Sequence, residues 1–161
     1  MPMNKQLFRK LCLCLLTGLF LVMGLSINTE AKAIVNTGHS KYTYGEMKKD
    51  LQLLQEKYSS CPLQVNIIGK SADQRNLYEV VLGNPNAKKH LLVIANLHAR
   101  EYMTTQLTVK QIERYLSFYH KKIHGKKVKK TVGKVAIHII PSANPDGTAI
   151  SQKGFGAIRN K

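Results

Sequence analysis

The chain has 161 residues and carries 25 Lys and Arg against 9 Asp and Glu, so its formal net charge is +16. That length suffices for one domain with a hydrophobic core, and the sequence contains no internal repeat or low-complexity linker. The excess of positive charge favours an anionic partner, but not nucleic acid, because the chain has no Trp and few aromatic residues lie among its lysines.

Residues 1–33 have the pattern of an export signal. Three basic residues precede an apolar run over residues 11–25, and Ala31-Lys32-Ala33 then supplies the small residues of a cleavage site. The run is shorter than the about 20 residues that a membrane-spanning helix needs. We therefore expect cleavage after Ala33 and a protein that is secreted or associated with the cell envelope, without a transmembrane segment after processing. An uncleaved N-terminal anchor is the alternative.

Cleavage at this position leaves residues 34–161, which contain one cysteine, Cys61. The mature chain can therefore form no intramolecular disulfide, although an exported protein meets an oxidising environment. An exported protein would also rarely meet nucleic acid, which is a second reason to exclude that partner.

The first predicted helix of the mature chain follows Thr43. Thr43 and Glu46 have the spacing of a capping box, in which each side chain bonds the backbone N–H of the other residue. Four apolar residues then recur on one helical face, and Pro62 stops the helix. These four residues are Met47, Leu51, Leu54 and Tyr58. We expect an amphipathic surface helix with a structural role.

Two short strands are predicted next, over residues 64–68 and 76–82. The residues between them have turn chemistry, so the pair is expected to form an antiparallel hairpin. Asp73 and Arg75 lie in that connection, and we interpret them as a solvated pair in a loop.

The apolar run Leu91–Ala95 has the pattern of a strand that is buried on both faces. Asn96 ends the run, and His98 and Glu101 follow before helical periodicity begins at Thr104. A histidine and a glutamate three residues apart, between a strand and a helix, can aim an imidazole and a carboxylate at one point. Zn²⁺ accepts that combination of ligands. The alternative is a surface histidine beside a glutamate that favours a helix N-terminus.

The helix predicted over about residues 104–120 leads into a basic segment, Lys121–Lys130, with six lysines in ten residues. Such a run of like charge is usually a solvated loop. Its functional interpretation is attraction to an anionic polymer of the cell envelope.

A second buried strand, expected to be parallel, is predicted over Val135–Ile140. His138 lies in its middle, and we interpret it as a core histidine with satisfied hydrogen bonds rather than as a ligand. The next segment, Pro141–Gly147, is dense in turn-forming residues. Ligand sites of open α/β sheets gather at that end of the strands, although a plain turn is the interpretation that chemistry alone favours.

The order of these pieces resembles the N-terminal half of the carboxypeptidase A-like zinc metallopeptidases. The motifs that carry the resemblance are Tyr42–Tyr44, Gly69-Lys70-Ser71, His98-Ala99-Arg100-Glu101 and Asn144-Pro145-Asp146-Gly147. It implies an α/β fold with a mixed, mostly parallel sheet flanked by helices, in which residues 34–161 form the N-terminal part of a catalytic domain. It also implies a secreted zinc metallocarboxypeptidase, a hydrolase that cleaves peptides at or near a C-terminus.

The resemblance further implies roles for three residues. His98 and Glu101 would be two of the ligands of one Zn²⁺, and Arg100 would bind the backbone or carboxylate of a peptide or cell-wall peptide substrate. The family's second histidine ligand and its general-base glutamate have no counterpart in this chain. No residue is therefore assigned a catalytic role, and the chain is expected to be inactive or incomplete by itself.

Three later histidines, at positions 120, 124 and 138, do not stand in the family's ligand position. A second hypothesis accordingly treats the chain as an exported, non-catalytic basic protein that binds anionic envelope polymers through Lys121–Lys130. The pair His98 and Glu101 would then be a relic. Zinc content distinguishes the two hypotheses.

Overall fold

The structure, a computed structural model, describes residues 33–159. Apart from Ala33, the predicted export signal lies outside the described residues. The helices are α1 (Tyr44–Lys57), α2 (Tyr102–Phe118), α3 (Val128–Val132) and α4 (Pro145–Lys153), and a 3₁₀ turn follows at Phe155–Ala157. The strands are β1 (Leu63–Lys70), β2 (Asn76–Gly83), β3 (His90–Ile94), β4 (Lys122–Ile123), β5 (Lys126–Lys127) and β6 (Ala136–Ile140).

Four of the strands form one sheet, in the order β1-β2-β6-β3. β1 and β2 are the predicted antiparallel hairpin, and β2 also pairs antiparallel with β6. β6 pairs in parallel with β3, as expected for the two apolar runs. The mixed sheet is confirmed, but among the described strands only the pairing of β3 with β6 is parallel, whereas β2 is antiparallel to both of its neighbours.

Helices α1 and α2 pack on one face of the sheet and form the core with it. α1 begins as predicted, since Thr43 Oγ1 accepts a bond from Glu46 N at 3.2 Å and Glu46 Oε2 accepts one from Thr43 N at 2.7 Å. Alternate residues of β2 and β6 face these helices, as the two-residue period of a strand requires. The core includes Met47, Leu51, Leu54, Val80, Leu82, Val109, Ile112, Leu116 and Ile139.

The prediction that the apolar run of β3 is buried on both faces is wrong for the described residues. Leu91 is 51 % exposed and Leu92 is 59 % exposed. β3 lies at the edge of the four-stranded sheet and pairs with β6 on one side only. An apolar run indicates that a strand can be buried, but burial depends on the elements that pack beside it.

His138 is hydrogen-bonded as predicted, but it does not lie in the core. Its Nδ1 is 2.9 Å from Glu79 Oε1, its Nε2 is 3.0 Å from His90 Nδ1, and its side chain remains 27 % exposed. The hydrogen bond from His138 is the main reason that the pKa of Glu79 lies below its ordinary value. His138 points to the face of the sheet opposite α1 and α2, because it alternates with the core residue Ile139.

The basic segment Lys121–Lys130 is solvated as predicted, but it is not an irregular loop. It forms the short β4–β5 hairpin and begins α3. All six of its lysines are exposed. Of the helices in residues 33–159, none has both the length and the apolar composition that a membrane span requires.

Candidate metal centre

The carboxyl ends of β3 and β6 bring two motif-bearing loops together. Ala95 N donates to Ile140 O at 2.9 Å, and Ala143 N then donates back to Ala95 O at 3.0 Å. One residue further along, Asn144 N donates to Asn96 O at 3.0 Å. The segments that follow β3 and β6 therefore stay paired beyond the strands. The His98–Glu101 turn consequently lies beside the segment that opens with Asn144.

Asn96 connects β3 to the candidate site. Its φ of 55° places it in the left-handed region, which asparagine tolerates better than most residues. Its side chain is 2 % exposed, and Nδ2 donates to Ser142 Oγ at 2.9 Å and to Thr148 Oγ1 at 2.6 Å. Sequence reasoning identified Asn96 only as the residue that ends a strand. The sequence signal for this role is an asparagine that follows an apolar run. That signal does not identify Ser142 and Thr148 as its hydrogen-bond partners.

A single turn carries the two predicted zinc ligands. Glu101 N donates to His98 O at 3.0 Å, which closes the turn. Thr104 then bonds to Glu101 O twice, through its backbone N at 2.8 Å and its hydroxyl at 2.7 Å. Thr104 Oγ1 also accepts a bond from Asn96 N at 3.0 Å, so the strand end, the turn and the start of α2 are held as one unit.

The side chains of His98 and Glu101 are available to a ligand. Both residues are exposed, and Glu101 occupies the N-cap position of α2 without making a side-chain capping bond. An imidazole and a carboxylate are a donor set that Zn²⁺ accepts. Within residues 33–159, no group of three His, Cys, Asp or Glu side chains converges as a metal site. The later histidines of the described chain therefore do not join His98 and Glu101 in such a group.

Arg100 lies on the same turn and lines an open cleft. The cleft has a volume of about 410 Å³ and is bounded by Ala99 and Arg100 on one side. Gly147, Ile150 and Ser151 of α4 form the other side. The guanidinium of Arg100 is exposed, so it can reach a carbonyl or carboxylate in the cleft.

The Asn144-Pro145-Asp146-Gly147 segment is a helix start and not a plain turn, which corrects the interpretation from chemistry alone. Asn144 Oδ1 accepts a bond from Gly147 N at 2.8 Å, and Pro145 occupies the first turn of α4. Proline is favoured there because its missing N–H would have no partner in the helix. Asn144 Nδ2 also donates to Leu97 O at 3.2 Å, one residue before His98. A Cβ at position 147 would lie 2.6 Å from Asn144 Oδ1, so a larger residue there would displace the Asn144 side chain.

The interpretation of Asp73 and Arg75 as a solvated pair is wrong. Arg75 is 4 % exposed, and its Nη1 lies 2.7 Å from Asp73 Oδ2 and 2.6 Å from Asp146 Oδ1. Arg75 Nη2 donates to Ala157 O at 2.9 Å, and Ser71 Oγ donates to Asp146 Oδ1 at 2.7 Å. The pair is buried because α4, which follows 71 residues later, covers the hairpin connection.

A family comparison agrees with this arrangement. The family model described as zinc carboxypeptidase matches residues 47–161. The chain belongs to the zinc carboxypeptidase family. Carboxypeptidase M of Mus musculus is 32 % identical over 113 residues, which cover 66 % of this chain and 24 % of that protein. Gamma-D-glutamyl-L-diamino acid endopeptidase 1 of Lysinibacillus sphaericus is 28 % identical over 129 residues, which cover 77 % of this chain and 32 % of that protein.

Solved structures share the fold. Thrombin activatable fibrinolysis inhibitor superposes with a TM-score of 0.64 at 18 % identity, covering 83 % of this chain and 33 % of that one. Carboxypeptidase A of Helicoverpa armigera gives a TM-score of 0.55 at 22 % identity, covering 85 % of this chain and 32 % of that one. The chain thus spans about a third or less of the length of these proteins. The predicted family resemblance and the mixed sheet with flanking helices are both confirmed.

Proposed function

We propose that this chain supplies part of the catalytic centre of a zinc-dependent peptidase. In this proposal His98 and Glu101 hold one Zn²⁺, and Arg100 binds the substrate. The observation that carries the proposal is the placement of two exposed ligand-type side chains on one braced turn, beside a cleft at the carboxyl end of the sheet. Membership of the zinc carboxypeptidase family supports the choice of metal.

The residues of the turn and those that flank it have different proposed roles, which follow from their chemistry. Bound Zn²⁺ supplies Lewis-acid polarisation of a carbonyl group. Arg100 donates from a planar guanidinium, which suits the carboxylate of a peptide C-terminus or the carbonyl of a peptide backbone. Asn96 and Thr104 keep the turn in place, and rigid placement is what a metal site and a substrate clamp both need.

The proposed substrate is a peptide cleaved at or near its C-terminus, or a cell-wall peptide with an acidic terminus. We infer export from the signal-like pattern of residues 1–33, which would place the protein outside the cell or in its envelope. No general base is assigned to a residue of this chain. Since the described residues offer two metal ligands, the 161-residue chain should bind zinc more weakly than a three-ligand site and should show no measurable turnover.

Zinc competition with a chromophoric chelator tests the ligand assignment. His98→Ala and Glu101→Ala should each weaken zinc binding by at least about tenfold, since each removes one of two protein ligands. His120→Ala is the matched control, because it removes an exposed histidine outside the site. Equal zinc affinity in His98→Ala and the unaltered chain would reject the proposed ligands.

Hydrolysis of a blocked dipeptide tests the catalytic part of the proposal. The metal-loaded 161-residue chain should give no turnover, whereas a longer polypeptide that adds a second histidine ligand and a glutamate base should be active. Arg100→Lys in that longer protein should raise KM, because a lysine cannot make the bidentate bond. If the 161-residue chain itself hydrolyses the dipeptide and a chelator stops it, the prediction of no turnover is wrong.

The exposed basic segment supports a second candidate function, binding to an anionic envelope polymer. Its six lysines are all exposed; five lie on β4, β5 and α3, and Lys121 directly precedes β4. Retention on an anionic resin should fall with rising salt, since exposed charges are screened over about 8 Å at physiological ionic strength. Replacing the six lysines with glutamine should abolish most of that retention, and unchanged retention would exclude this function.

A further inference from the structure

The buried carboxylate of Glu113 binds the beginning of the described chain. Glu113 lies in α2 and is 5 % exposed. Its Oε1 accepts a hydrogen bond from Ile34 N at 2.6 Å, and its Oε2 accepts one from Val35 N at 3.3 Å. Val35 is itself buried in the core, so packing also holds this segment next to the contact. A carboxylate taken out of water in this way needs compensation by donors or cations.

The charge of the Glu113 carboxylate is only partly compensated by its surroundings, so one more cation would be stabilised beside it. Lys110 Nζ lies 2.8 Å from Oε2, but the lysine is about one-third exposed, and Oε1 faces Ile34 N instead. On the neighbouring helix α1, Asp50 is also buried and accepts a hydrogen bond from the Tyr42 hydroxyl at 2.8 Å. Asp50 lies close enough to Glu113 for a repulsive electrostatic interaction, and the ammonium that pairs with Glu113 is only partly buried. A positive charge at the Ile34 nitrogen would be stabilised here.

The sequence predicts a cleavage site at the peptide bond that contains the Ile34 nitrogen. Ala31-Lys32-Ala33 has the small-residue pattern that precedes a signal-peptide cut, which would fall between Ala33 and Ile34. Hydrolysis of this peptide bond adds one water, so Ala33 leaves with a carboxylate and Ile34 gains a free amine. With an ordinary pKa of about 8, that α-amine takes up a proton and is an ammonium at neutral pH.

We propose that the chain is processed between Ala33 and Ile34 and that Glu113 is the binding site for the new α-ammonium. Processing changes the Ile34 nitrogen from an amide donor to a charged donor at the position that the carboxylate already occupies. Charge-assisted hydrogen bonds are about twice as strong as neutral ones. The cut therefore stabilises the attachment of residues 34–35 to α2, and the unprocessed chain lacks this ion pair.

The first test is made on the full chain expressed with its own N-terminus in a host that exports it. Mass spectrometry should find Ile34 as the first residue of the exported protein. At neutral pH its α-amine should react with an acylating reagent about tenfold more slowly than in Glu113→Gln, which corresponds to a one-unit rise in the pKa of the amine. Glu56→Gln, which changes an exposed glutamate of α1, is the matched control and should react like the unaltered protein.

A second variant separates binding of the ammonium from a merely structural role of Glu113. Insertion of one asparagine between Ala33 and Ile34 moves the new amine away from the carboxylate while Glu113 remains intact. The insertion should lower the Tm by about 5 °C in the unaltered chain and have little effect in Glu113→Gln, because the two changes remove the same ion pair. A mature N-terminus other than Ile34, equal amine reactivity in Glu113→Gln, or equal Tm values with and without the insertion would overturn the proposal.

Discussion

Arg75 Nη1 lies 2.6 Å from Asp146 Oδ1, and this ion pair joins the β1–β2 hairpin to the first turn of α4. Ser71 Oγ bonds the same carboxylate oxygen at 2.7 Å, and Asp73 N bonds Asp146 Oδ2 at 3.0 Å. The Gly69-Lys70-Ser71 and Asn144-Pro145-Asp146-Gly147 motifs are thus parts of one buried network. Since α4 forms one wall of the cleft beside Arg100, the network sets the shape of the candidate substrate site.

Arg75→Ala should destabilise the fold strongly. It leaves the carboxylates of Asp73 and Asp146 without their buried cation, and removal of one partner of a buried ion pair costs about 3–5 kcal/mol. Urea unfolding at neutral pH measures the loss, with Lys70→Ala as a control that removes an exposed cation from the same hairpin. A loss below about 1 kcal/mol, the range of surface pairs, would show that the network contributes little.

The same network predicts a loss of stability in acid. Burial by itself would raise the pKa of Asp146, but the bonds from Asp73 N–H, the Ser71 hydroxyl and the Arg75 guanidinium outweigh it, so the pKa lies below its ordinary value. A group whose folded pKa is below its unfolded value of about 3.9 stabilises the fold above that value and loses this contribution as the pH falls further. The free-energy advantage of the unaltered chain over Asp146→Asn should therefore shrink below about pH 4.

Asp50→Asn provides the contrasting measurement. Burial raises the pKa of Asp50, so folding disfavours its ionised form relative to the unfolded chain. The unaltered chain should then gain stability relative to Asp50→Asn as the pH falls, the opposite direction to Asp146. Parallel pH profiles for the two variants would contradict the charge assignments in both sites.

Substitution of Asn144 separates its two hydrogen bonds. Asn144→Ala removes the cap of α4 and the bond to Leu97 O, and loss of an N-cap costs about 0.5–2 kcal/mol. Asn144→Asp keeps an oxygen that accepts from Gly147 N but removes the Nδ2 donor to Leu97 O. We expect the aspartate variant to retain most of the stability yet to bind zinc more weakly, since the His98 turn loses a support. Equal zinc affinity in all three proteins would show that Leu97 needs no such support.

Thr43→Ala should weaken the start of α1. The substitution removes the hydroxyl that accepts from Glu46 N at 3.2 Å, and the expected cost is about 1 kcal/mol. Ser59→Ala, at an exposed position beyond the other end of the helix, is the control and should change the unfolding free energy by less than about 0.5 kcal/mol. A control loss equal to that of Thr43→Ala would indicate a general effect of lost hydroxyls rather than capping.

Features that depend on nearby residues could be predicted from the sequence by itself. The capping box of Thr43 and Glu46, the β1–β2 hairpin and the existence of the strands β3 and β6 all follow from patterns within a few residues. The three predicted site residues, His98, Arg100 and Glu101, likewise belong to one short motif. Their roles remain proposals.

Tertiary structure alone decided which polar groups are buried and which apolar ones are not. Arg75 meets Asp146 across 71 residues, and Glu113 meets Ile34 across 79 residues. No local pattern encodes such pairs, because the sequence neighbours of one member give no information about the distant partner. The exposure of Leu92 in β3 has the same origin, since its burial depends on distant elements that would pack beside the strand. Local hydrogen bonding determined the elements, whereas long-range packing decided the environment of each side chain.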